Sequence, residues 1–298
     1  MHAPTGDEET PLSCPDDWTF EQLPLPGLLW PAGQGGLAPR PNAAFTRIYS
    51  LDSLRARGPA LGTLPDGEHV LRLERSGELW DARVCRLHLA TRPGGSRLAL
   101  VVDLQAEYQD PLTGLEDRRA LLLDAGAAPG EGAQGASLAL LDIDGFKEVN
   151  DTLGHAAGDA ALCALAELLG AAARRWGARA YRLGGDEFVV CSPGRLGSSE
   201  LAEVQAQFAR HLAAQKGANR RRGLALRSFS YGLADAPQDG RSLPELLRCA
   251  DARLAGCKDR RRGTQAAQVL RLQDGAAPAP RPELPWPGLS WLPRRKNA

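Results

Sequence analysis

The sequence predicts an α+β protein with two folded domains. Its N-terminal part alternates short apolar runs with turn signals, and in ARVCRLHLA the apolar residues recur at every second position, as in half-buried strands. Further along, the buried-strand run SLALLDID and the helical stretch DAALCALAELLGAAARR indicate a domain that mixes strands and helices. A chain of 298 residues is long enough to bury two hydrophobic cores.

The first domain is expected at residues 21–106, after a polar and flexible tail at residues 1–20. An opening strand in PGLLW is followed by a helical stretch, NAAFTRIYSLDSLRA. Two closing strands are joined by a Pro-Gly-Gly turn. These elements predict a small antiparallel sheet with little helix.

The second domain is expected at residues 107–272. ARAYRLGGDEFVVCSP predicts two strands around a Gly-Gly turn, and ALRSFSYGLA predicts another strand. SLPELLRCADARLAGCKDRRR predicts a helix with Ser242 as N-cap, Glu245 as its capping-box partner and a basic last turn. The order of elements predicts a sheet with helices on one face, close to the ferredoxin-like arrangement. Residues 273–298 are rich in proline, which predicts an extended tail.

Charge and composition exclude several classes of protein. The chain holds 36 basic and 36 acidic residues, so no overall field indicates nucleic acid or an anionic membrane as a partner. Its 6 cysteines are scattered without a C-x-x-C pair, which favours reduced thiols. No apolar run approaches the length of a membrane helix, and the acidic N-terminus lacks the apolar stretch of a signal peptide. We therefore expect a cytoplasmic protein without a membrane span.

A short segment occurs near both ends of the chain, as LPLPGLLW at 23–30 and as LPWPGLSW at 284–291. One explanation is coincidence, since the chain contains 22 prolines. The other is that both copies occupy equivalent surface grooves. The role of the repeat stays open.

Carboxylates near two predicted strand ends suit a metal ion. Asp142 and Asp144 end the strand LALLDID on one face, and Asp186 and Glu187 lie in the hairpin turn. Mg²⁺ prefers oxygen ligands and keeps substrate phosphates among them. If the two strands are neighbours, Asp142 and Glu187 can bind one ion.

The same stretch also allows plainer interpretations. Gly184 and Gly185 permit positive φ and close approach of a ligand, yet Gly and Asp also dominate ordinary surface hairpins. Lys147 and Asn150 share one face of a short helix, and Asp159 ends the loop GHAAGD as an acceptable N-cap. An Asn amide and an Asp carboxylate together can recognise a guanine edge. Asp159 is therefore either a cap alone or one of a pair that recognises a base.

Several motifs, in this order, resemble those of GGDEF-domain diguanylate cyclases. They are DPLTGLEDRR, DIDGFKEVNDTLGHAAGD, RLGGDEF, SYG and ADARLAGCKDRRR. The resemblance covers about residues 107–270 and implies a fold like the palm of nucleotide cyclases and polymerases. It implies an enzyme that condenses two GTP molecules into cyclic di-GMP and releases pyrophosphate. Because the product is symmetric and each protomer holds one GTP, it also implies a homodimer.

The resemblance assigns roles to individual residues. Asp142, the backbone carbonyl of Ile143 and Glu187 are implied as ligands of Mg²⁺ or Mn²⁺. Asp186 is implied at the 3′-hydroxyl or at a second metal, and with Glu187 and Lys258 it forms the implied catalytic set. The implied substrate-binding residues are Phe146, Lys147, Asn150, Asp159, Gly184, Gly185 and Arg262.

Two departures from the family pattern affect the functional expectation. Many members carry R-x-x-D shortly before GGDEF, where it binds the product and inhibits the enzyme. Here the stretch reads Arg175-Trp176-Gly177-Ala178, so the acid is missing at Ala178 and product inhibition is expected to be weak or absent. Altered residues beside Arg262 leave open an inactive module that serves as a GTP-binding receptor or a protein-interaction scaffold.

The first domain resembles a PAS sensor domain in the order of its opening strand, Asn-containing helix entry and closing strands. The alternative is an unrelated small α+β domain used only for dimerisation. His69, His88 and Cys85 form no ligand pattern, so no cofactor is predicted and any PAS-domain ligand is unknown. The seven steps from Asp103 to Asp110 are equivalent to about two helical turns, roughly 10 Å. We expect tight coupling of the domains, while the signal, its sign and the downstream target stay open.

Overall fold

The structure of the chain, a computed structural model, describes residues 19–33, 37–75, 82–126, 136–215 and 228–270. Within these ranges only the backbone of residues 53, 56–59, 126, 215 and 260–270 is described. The chain divides into two compact units between Glu107 and Tyr108. Each unit has its own five-stranded sheet. The expected C-terminal tail and nearly all of the N-terminal tail lie outside the described residues.

The first unit is built on an antiparallel sheet with the strand order β2-β1-β5-β4-β3. In β4, most side chains alternate between the core and the opposite face, as the period-2 pattern predicts. The antiparallel sheet is therefore confirmed, and the PAS-like assignment stays a prediction. The elements are β1 Gly27–Trp30, β2 Arg40–Pro41, α1 Ala43–Ile48, α2 Leu51–Leu61, β3 Gly67–Glu74, β4 Ala82–Thr91 and β5 Arg97–Asp103, with a 3-10 turn at Phe20–Gln22.

Asn42 fixes the entry into α1. Its Oδ1 accepts hydrogen bonds from the backbone N–H of Phe45 at 2.9 Å and of Gly27 at 3.0 Å. Its Nδ2 donates to the carbonyl oxygen of Leu25 at 2.9 Å. The side chain is fully buried, so these partners satisfy an amide that would otherwise be costly to bury. One residue thus caps α1 and ties it to β1.

The N-terminal copy of the repeated segment ends in β1 rather than in a surface groove. Leu28 and Trp30 are fully buried in the core of the first unit. β1 lies between β2 and β5 in the sheet. The surface-groove hypothesis is therefore wrong for this copy, and the copy at 284–291 lies outside the described residues.

The second unit has a sheet of order β10-β7-β9-β8-β6 in which only the β6–β8 pair is parallel among the described strands. The two strands around the Gly-Gly turn are β8 and β9, as predicted. The elements are β6 Glu116–Asp117, α3 Arg118–Gly126, β7 Ser137–Ile143, α4 Phe146–Leu153, α5 His155–Trp176, β8 Arg179–Gly184, β9 Glu187–Ser192, α6 Ser198–Gln215, β10 Phe229–Asp235 and α7 Leu243–Leu270.

Helices cover both faces of this sheet, so the expectation of helices on one face is wrong. Leu141 on β7 packs into a core with Leu165 of α5 and Phe208 of α6. Its neighbour Leu140 belongs to a second core with Leu254 of α7. The reason is visible in β7, where every residue is buried, as in strands enclosed on two sides.

Two helix boundaries also differ from the sequence prediction. α5 begins at His155 after Gly154, whose φ of 86° interrupts the chain between α4 and α5. Asp159 therefore lies inside the helix and is not its N-cap. At α7, Glu245 Oε2 accepts the backbone N–H of Arg241 at 2.8 Å and of Ser242 at 3.2 Å, so the predicted capping partner is confirmed. The helix then continues beyond its basic stretch, which is not its last turn.

The segment after β5 also departs from the expected pair of helical turns. It contains a single 3-10 turn, Gln105–Tyr108. Asp110 begins a loop in which its carbonyl accepts the N–H of Gly114 at 2.9 Å. The segment between these points is therefore not the start of a continuous α-helix.

α5 is long and apolar enough to cross a membrane by length and composition, and no other helix in the described ranges is. Its apolar residues Leu162, Leu165 and Leu169 are buried in the core against the sheet. Half of its most apolar window is buried inside the unit, as in a core helix.

Gly232 provides a test of the packing between β10 and α7. A Cβ added at this position would lie 1.8 Å from the carbonyl oxygen of Ala250 and 2.7 Å from the N of Leu254. Gly232→Ala should lower the free energy of unfolding by about 3 kcal/mol, because backbone atoms must move apart. Thermal and denaturant unfolding of the full chain would measure the change.

Gly256→Ala on α7 is the matched control, since its added Cβ would meet nothing within 4 Å. It should leave stability unchanged or raise it by up to about 1 kcal/mol, because Ala is the better helix former. Equal effects of the two substitutions would contradict the proposed packing.

Candidate active site

Two carboxylates face each other on neighbouring strands at one end of the second unit's sheet. Asp142 on β7 is the direct cross-strand partner of Glu187 on β9. Side chains of such partners project from the same face with Cβ atoms about 4.5–5.5 Å apart. Asp186 precedes Glu187 in the turn, where Gly184 and Gly185 have φ of 141° and 55°. The structure thus places the three acidic residues to which the resemblance assigns the metal and the chemistry at one end of the sheet.

Lys258 of α7 supplies positive charge to this end of the sheet. Its Nζ lies 2.6 Å from Oδ2 of Asp142, and the two side chains are 25% and 11% exposed. Burial raises the pKa of Asp186 and of Glu187, and the charge of the ammonium opposes this rise. The lysine therefore acts electrostatically on all three carboxylates.

Burial nevertheless makes the ionised form of these carboxylates unfavourable. It is the largest cause of the rise in the pKa of Asp142 to about 6, with further increases from Asp186 and Asp144, while Lys258 opposes the rise. Burial also raises the pKa of Asp186 and of Glu187, and Asp142 raises that of Glu187 further. A group of acids with raised pKa values needs more positive charge than one lysine gives.

The donor set fits a hard divalent cation that brings other ligands with it. No three His, Cys, Asp or Glu side chains within the described ranges converge into a complete metal site. Asp142 and Glu187 offer two carboxylates from opposed strands, and Ile143 directly follows Asp142 at the end of β7. Mg²⁺ suits such a partial set, because it is usually held by one or two carboxylates together with water and substrate phosphates.

Asn150 has an unusual environment between α4 and α5. Its Oδ1 is buried and receives no hydrogen bond from the part of the chain that the structure describes. A Cβ at Gly158 of α5 would lie 2.0 Å from this oxygen, so only glycine leaves room for it there. Asp159, which follows Gly158, is exposed. The structure thus brings Asn150 close to the helix turn that carries Asp159.

The other residues implied in substrate binding lie on the same elements. Phe146 is half-buried at the start of α4 and Lys147 beside it is exposed. The backbone of Arg262 belongs to α7, and its side chain lies outside the described residues. Its place relative to the carboxylates therefore stays a prediction.

Arg182 fixes the acidic turn and was not predicted as a site residue. Its Nε and Nη2 donate to the carbonyl oxygen of Gly185 at 3.2 and 2.8 Å. Its Nη1 donates to Oδ1 of Asp110 at 2.8 Å, and Asp110 also accepts bonds from Thr113. One guanidinium thus joins the turn to the loop that opens the unit. The motif RLGGDEF contains this arginine, but its partner is distant in sequence.

Two further residues near the carboxylates were also missed. Ser230 on β10 donates to Oδ1 of Asp144 at 2.6 Å. Asp251 on α7 is half-buried, burial raises its pKa, and it raises the pKa of Glu187. Asp251 and Lys258 are seven residues apart on one helix, so they lie on nearly the same face two turns apart, a signal that the sequence already contained.

Comparison with known proteins places the chain in a family. The family model described as "Diguanylate cyclase, GGDEF domain" matches residues 107–264, more than half of the chain. The chain therefore belongs to the GGDEF family, and the prediction of an α+β GGDEF domain for this part is confirmed.

Two named relatives are diguanylate cyclases. The chain is 43% identical to DgcM of Escherichia coli K12 over 93 residues, which covers 30% of this chain and 22% of DgcM. It is 36% identical to VdcA of Vibrio cholerae over 153 residues, which covers 50% of this chain and 44% of VdcA. The match spans less than half the length of these curated relatives, and about a fifth of an uncharacterized Mycobacterium tuberculosis protein, Rv1354c.

A solved structure is also similar. The GGDEF domain of DgcB from Caulobacter crescentus, in complex with c-di-GMP, is 31% identical and matches with a TM-score of 0.42. The match covers 51% of this chain and 90% of that domain.

Neutralising Asp142 should stabilise the metal-free chain. Burial raises the pKa of Asp142 to about 6, so ionisation of Asp142 destabilises the folded state. Asp142→Asn should raise the free energy of unfolding at pH 8 in EDTA by about 1–3 kcal/mol, since one pKa unit corresponds to about 1.4 kcal/mol. Unfolding curves in EDTA would measure the difference.

The difference should depend on pH in one direction. A folded-state pKa above the unfolded value favours folding fully below the unfolded pKa, and this contribution is lost as pH rises through the folded pKa. The advantage of Asp142→Asn should therefore be large above pH 6 and shrink towards pH 4. Asp151→Asn, at an exposed position on α4, is the control. A pH-independent advantage, or none, would contradict the prediction.

Proposed function

We propose that the chain is a diguanylate cyclase that condenses two GTP molecules into cyclic di-GMP and releases pyrophosphate, with Mg²⁺ or Mn²⁺. The family supports cyclic di-GMP synthesis for this domain. The observation that supports it best in this chain is the register of Asp142 opposite Glu187, with Asp186 and Lys258 at the same end of the sheet. The alternative of an inactive module becomes an outcome of the test below.

In this proposal the carboxylates bind and orient the reacting groups. Asp142, Glu187 and the carbonyl of Ile143 hold the metal ion, which when bound neutralises charge on the phosphates. Asp186 lies beside them in the turn, and burial raises its pKa, which suits a carboxylate that accepts the proton of the 3′-hydroxyl. Lys258 neutralises charge on the leaving pyrophosphate.

Recognition of GTP falls to residues on α4, α5, the turn and α7. Asn150 and Asp159 contact the guanine edge, and the buried, unpaired Oδ1 of Asn150 supports a polar role for this amide. Phe146, Lys147 and Arg262 contact the triphosphate region. Gly184 and Gly185 let the nucleotide approach the backbone, since neither carries a side chain.

The proposal includes a homodimer in the cytoplasm. Cyclic di-GMP is symmetric and each protomer offers one set of these residues, so two protomers must face each other across two GTP molecules. The first unit, as a PAS-like domain, serves as the sensor that controls this pairing. At low protein concentration the turnover per chain should fall as the dimer dissociates.

Activity should depend on Glu187. The full chain with GTP and Mg²⁺ should form cyclic di-GMP, and Glu187→Gln should reduce kcat by at least about 100-fold, because it removes a charged metal ligand. Chromatographic measurement of cyclic di-GMP and pyrophosphate would record the rates.

Glu167→Gln provides the matched control, since Glu167 is exposed on α5. It should leave the rate unchanged. If the unaltered chain binds GTP yet forms no product at any protein concentration, the chain is an inactive GTP-binding module and the proposal is wrong.

Weak product inhibition is a second part of the proposal. Nη2 of Arg175 lies 3.6 Å from Oε1 of Glu203 on α6, and both side chains are more than half exposed. Ala178, at the position of the missing acid, is buried and cannot contribute a carboxylate. The arginine that would hold the product therefore has a different acidic neighbour.

Added cyclic di-GMP should barely slow the reaction, and Arg175→Ala should respond to it as the unaltered chain does. Initial rates over a range of added cyclic di-GMP would compare the two. Inhibition at low micromolar product that Arg175→Ala abolishes would show that the inhibitory site survives without its usual acid.

A further inference from the structure

Lys258 and the expected metal ion share one carboxylate, that of Asp142. Nζ of Lys258 lies 2.6 Å from Oδ2 of Asp142, within the range of a charge-assisted hydrogen bond. Asp142 is also an expected metal ligand under the proposed function. A lysine ammonium and a divalent cation repel each other strongly at such short distances. An ammonium in contact with Asp142 therefore opposes the binding of a metal ion to the same carboxylate.

The lysine is held at this position by several carboxylates. Its ammonium contacts Asp142, and its charge opposes the rise in pKa that burial causes at Asp142, Glu187 and Asp251. Asp142 is nearly buried, so an ammonium at its oxygen replaces the water that an exposed carboxylate would have. α7 packs against β10 and β7, which brings the stem of Lys258 to the end of these strands.

We propose that the ammonium of Lys258 takes the place of the metal ion at Asp142 in the metal-free chain. The ammonium leaves Asp142 when a divalent cation binds together with the nucleotide. The inference rests on the proposed function for the identity of the metal site and the nucleotide. Metal alone displaces the ammonium from its contact with Asp142 and offers it no anion in exchange. Metal bound with a triphosphate displaces the same ammonium but offers it phosphate oxygens.

The exchange couples the two ligands. Lys258 opposes binding of the bare metal and favours binding of the metal with nucleotide, so each ligand raises the affinity for the other by the same factor. The chain thereby avoids filling its carboxylates with a divalent cation before a substrate is present. Lys258 thus acts as a positioning residue before it meets the phosphates.

Titration calorimetry of MnCl₂ into the full, nucleotide-free chain tests the exchange. Lys258→Met should bind Mn²⁺ about ten-fold more tightly than the unaltered chain, a factor within the usual range of coupling between sites. Lys258→Arg, which keeps the charge, should stay near the unaltered affinity. Arg248→Met, at an exposed position on α7, should have no effect. Lys258→Met combined with Asp142→Asn should lose the gain.

With a non-reactive GTP analogue present, the order should reverse, so that the unaltered chain binds Mn²⁺ more tightly than Lys258→Met. Equal or weaker Mn²⁺ binding by Lys258→Met without nucleotide, or no detectable binding by any variant, overturns the inference. Cyclic di-GMP formation is measured separately. If Mn²⁺ binding changes as expected but no cyclic di-GMP forms, the exchange is supported and the proposed enzymatic function is wrong. If cyclic di-GMP forms but Mn²⁺ binding does not change as expected, the proposed function is supported and the exchange is wrong.

Discussion

The second unit depends on a register that places like charges opposite each other. Asp142 and Glu187 are cross-strand partners, an arrangement that destabilises a sheet unless other groups offset it. A shift by one residue would separate them, but it would also turn the side chains of β7 to the other face. Because Leu140 and Leu141 pack into cores on opposite faces, that shift would disrupt both cores. The apolar residues therefore hold the acids together.

Polar contacts around the acids limit the destabilisation without removing it. Lys258 neutralises part of the charge, and Arg182 holds the turn through the carbonyl of Gly185. Ser230 on β10 donates a hydrogen bond to the carboxylate of Asp144, which directly follows β7. The pKa of Asp142 is raised even so, which means that the folded chain retains a site that is costly without further positive charge. Such a retained cost is typical of sites selected for function rather than for stability.

The sequence predicts the parts of this site that depend on local patterns. The strand of Asp142, the Gly-Gly turn and the capping partner Glu245 all follow from periodicity, turn chemistry and cap spacing. Asp159 was misassigned because an Asp before an apolar helical run resembles an N-cap, whereas the break falls at Gly154. Arg182 with Asp110, and Lys258 with Asp142, are contacts between distant segments that no local pattern predicts. The unbroken apolar run of β7 does indicate a strand that is buried on both faces, and therefore helices on both faces of the sheet.

The charges of the site and of its surroundings together suggest how the second unit is restrained. Arg175 has an acidic neighbour on α6 and Ala178 provides no carboxylate, which is why the proposed function includes weak product inhibition. Under this proposal, restraint acts on the formation of the site rather than on its later blockage by product. Under the two proposals, the features that act at that stage are the need for a second protomer and the ammonium of Lys258, which lies on Asp142. Since the phosphates of a nucleotide would offer the displaced ammonium new anionic oxygens, the proposed exchange favours metal and nucleotide together over the metal alone.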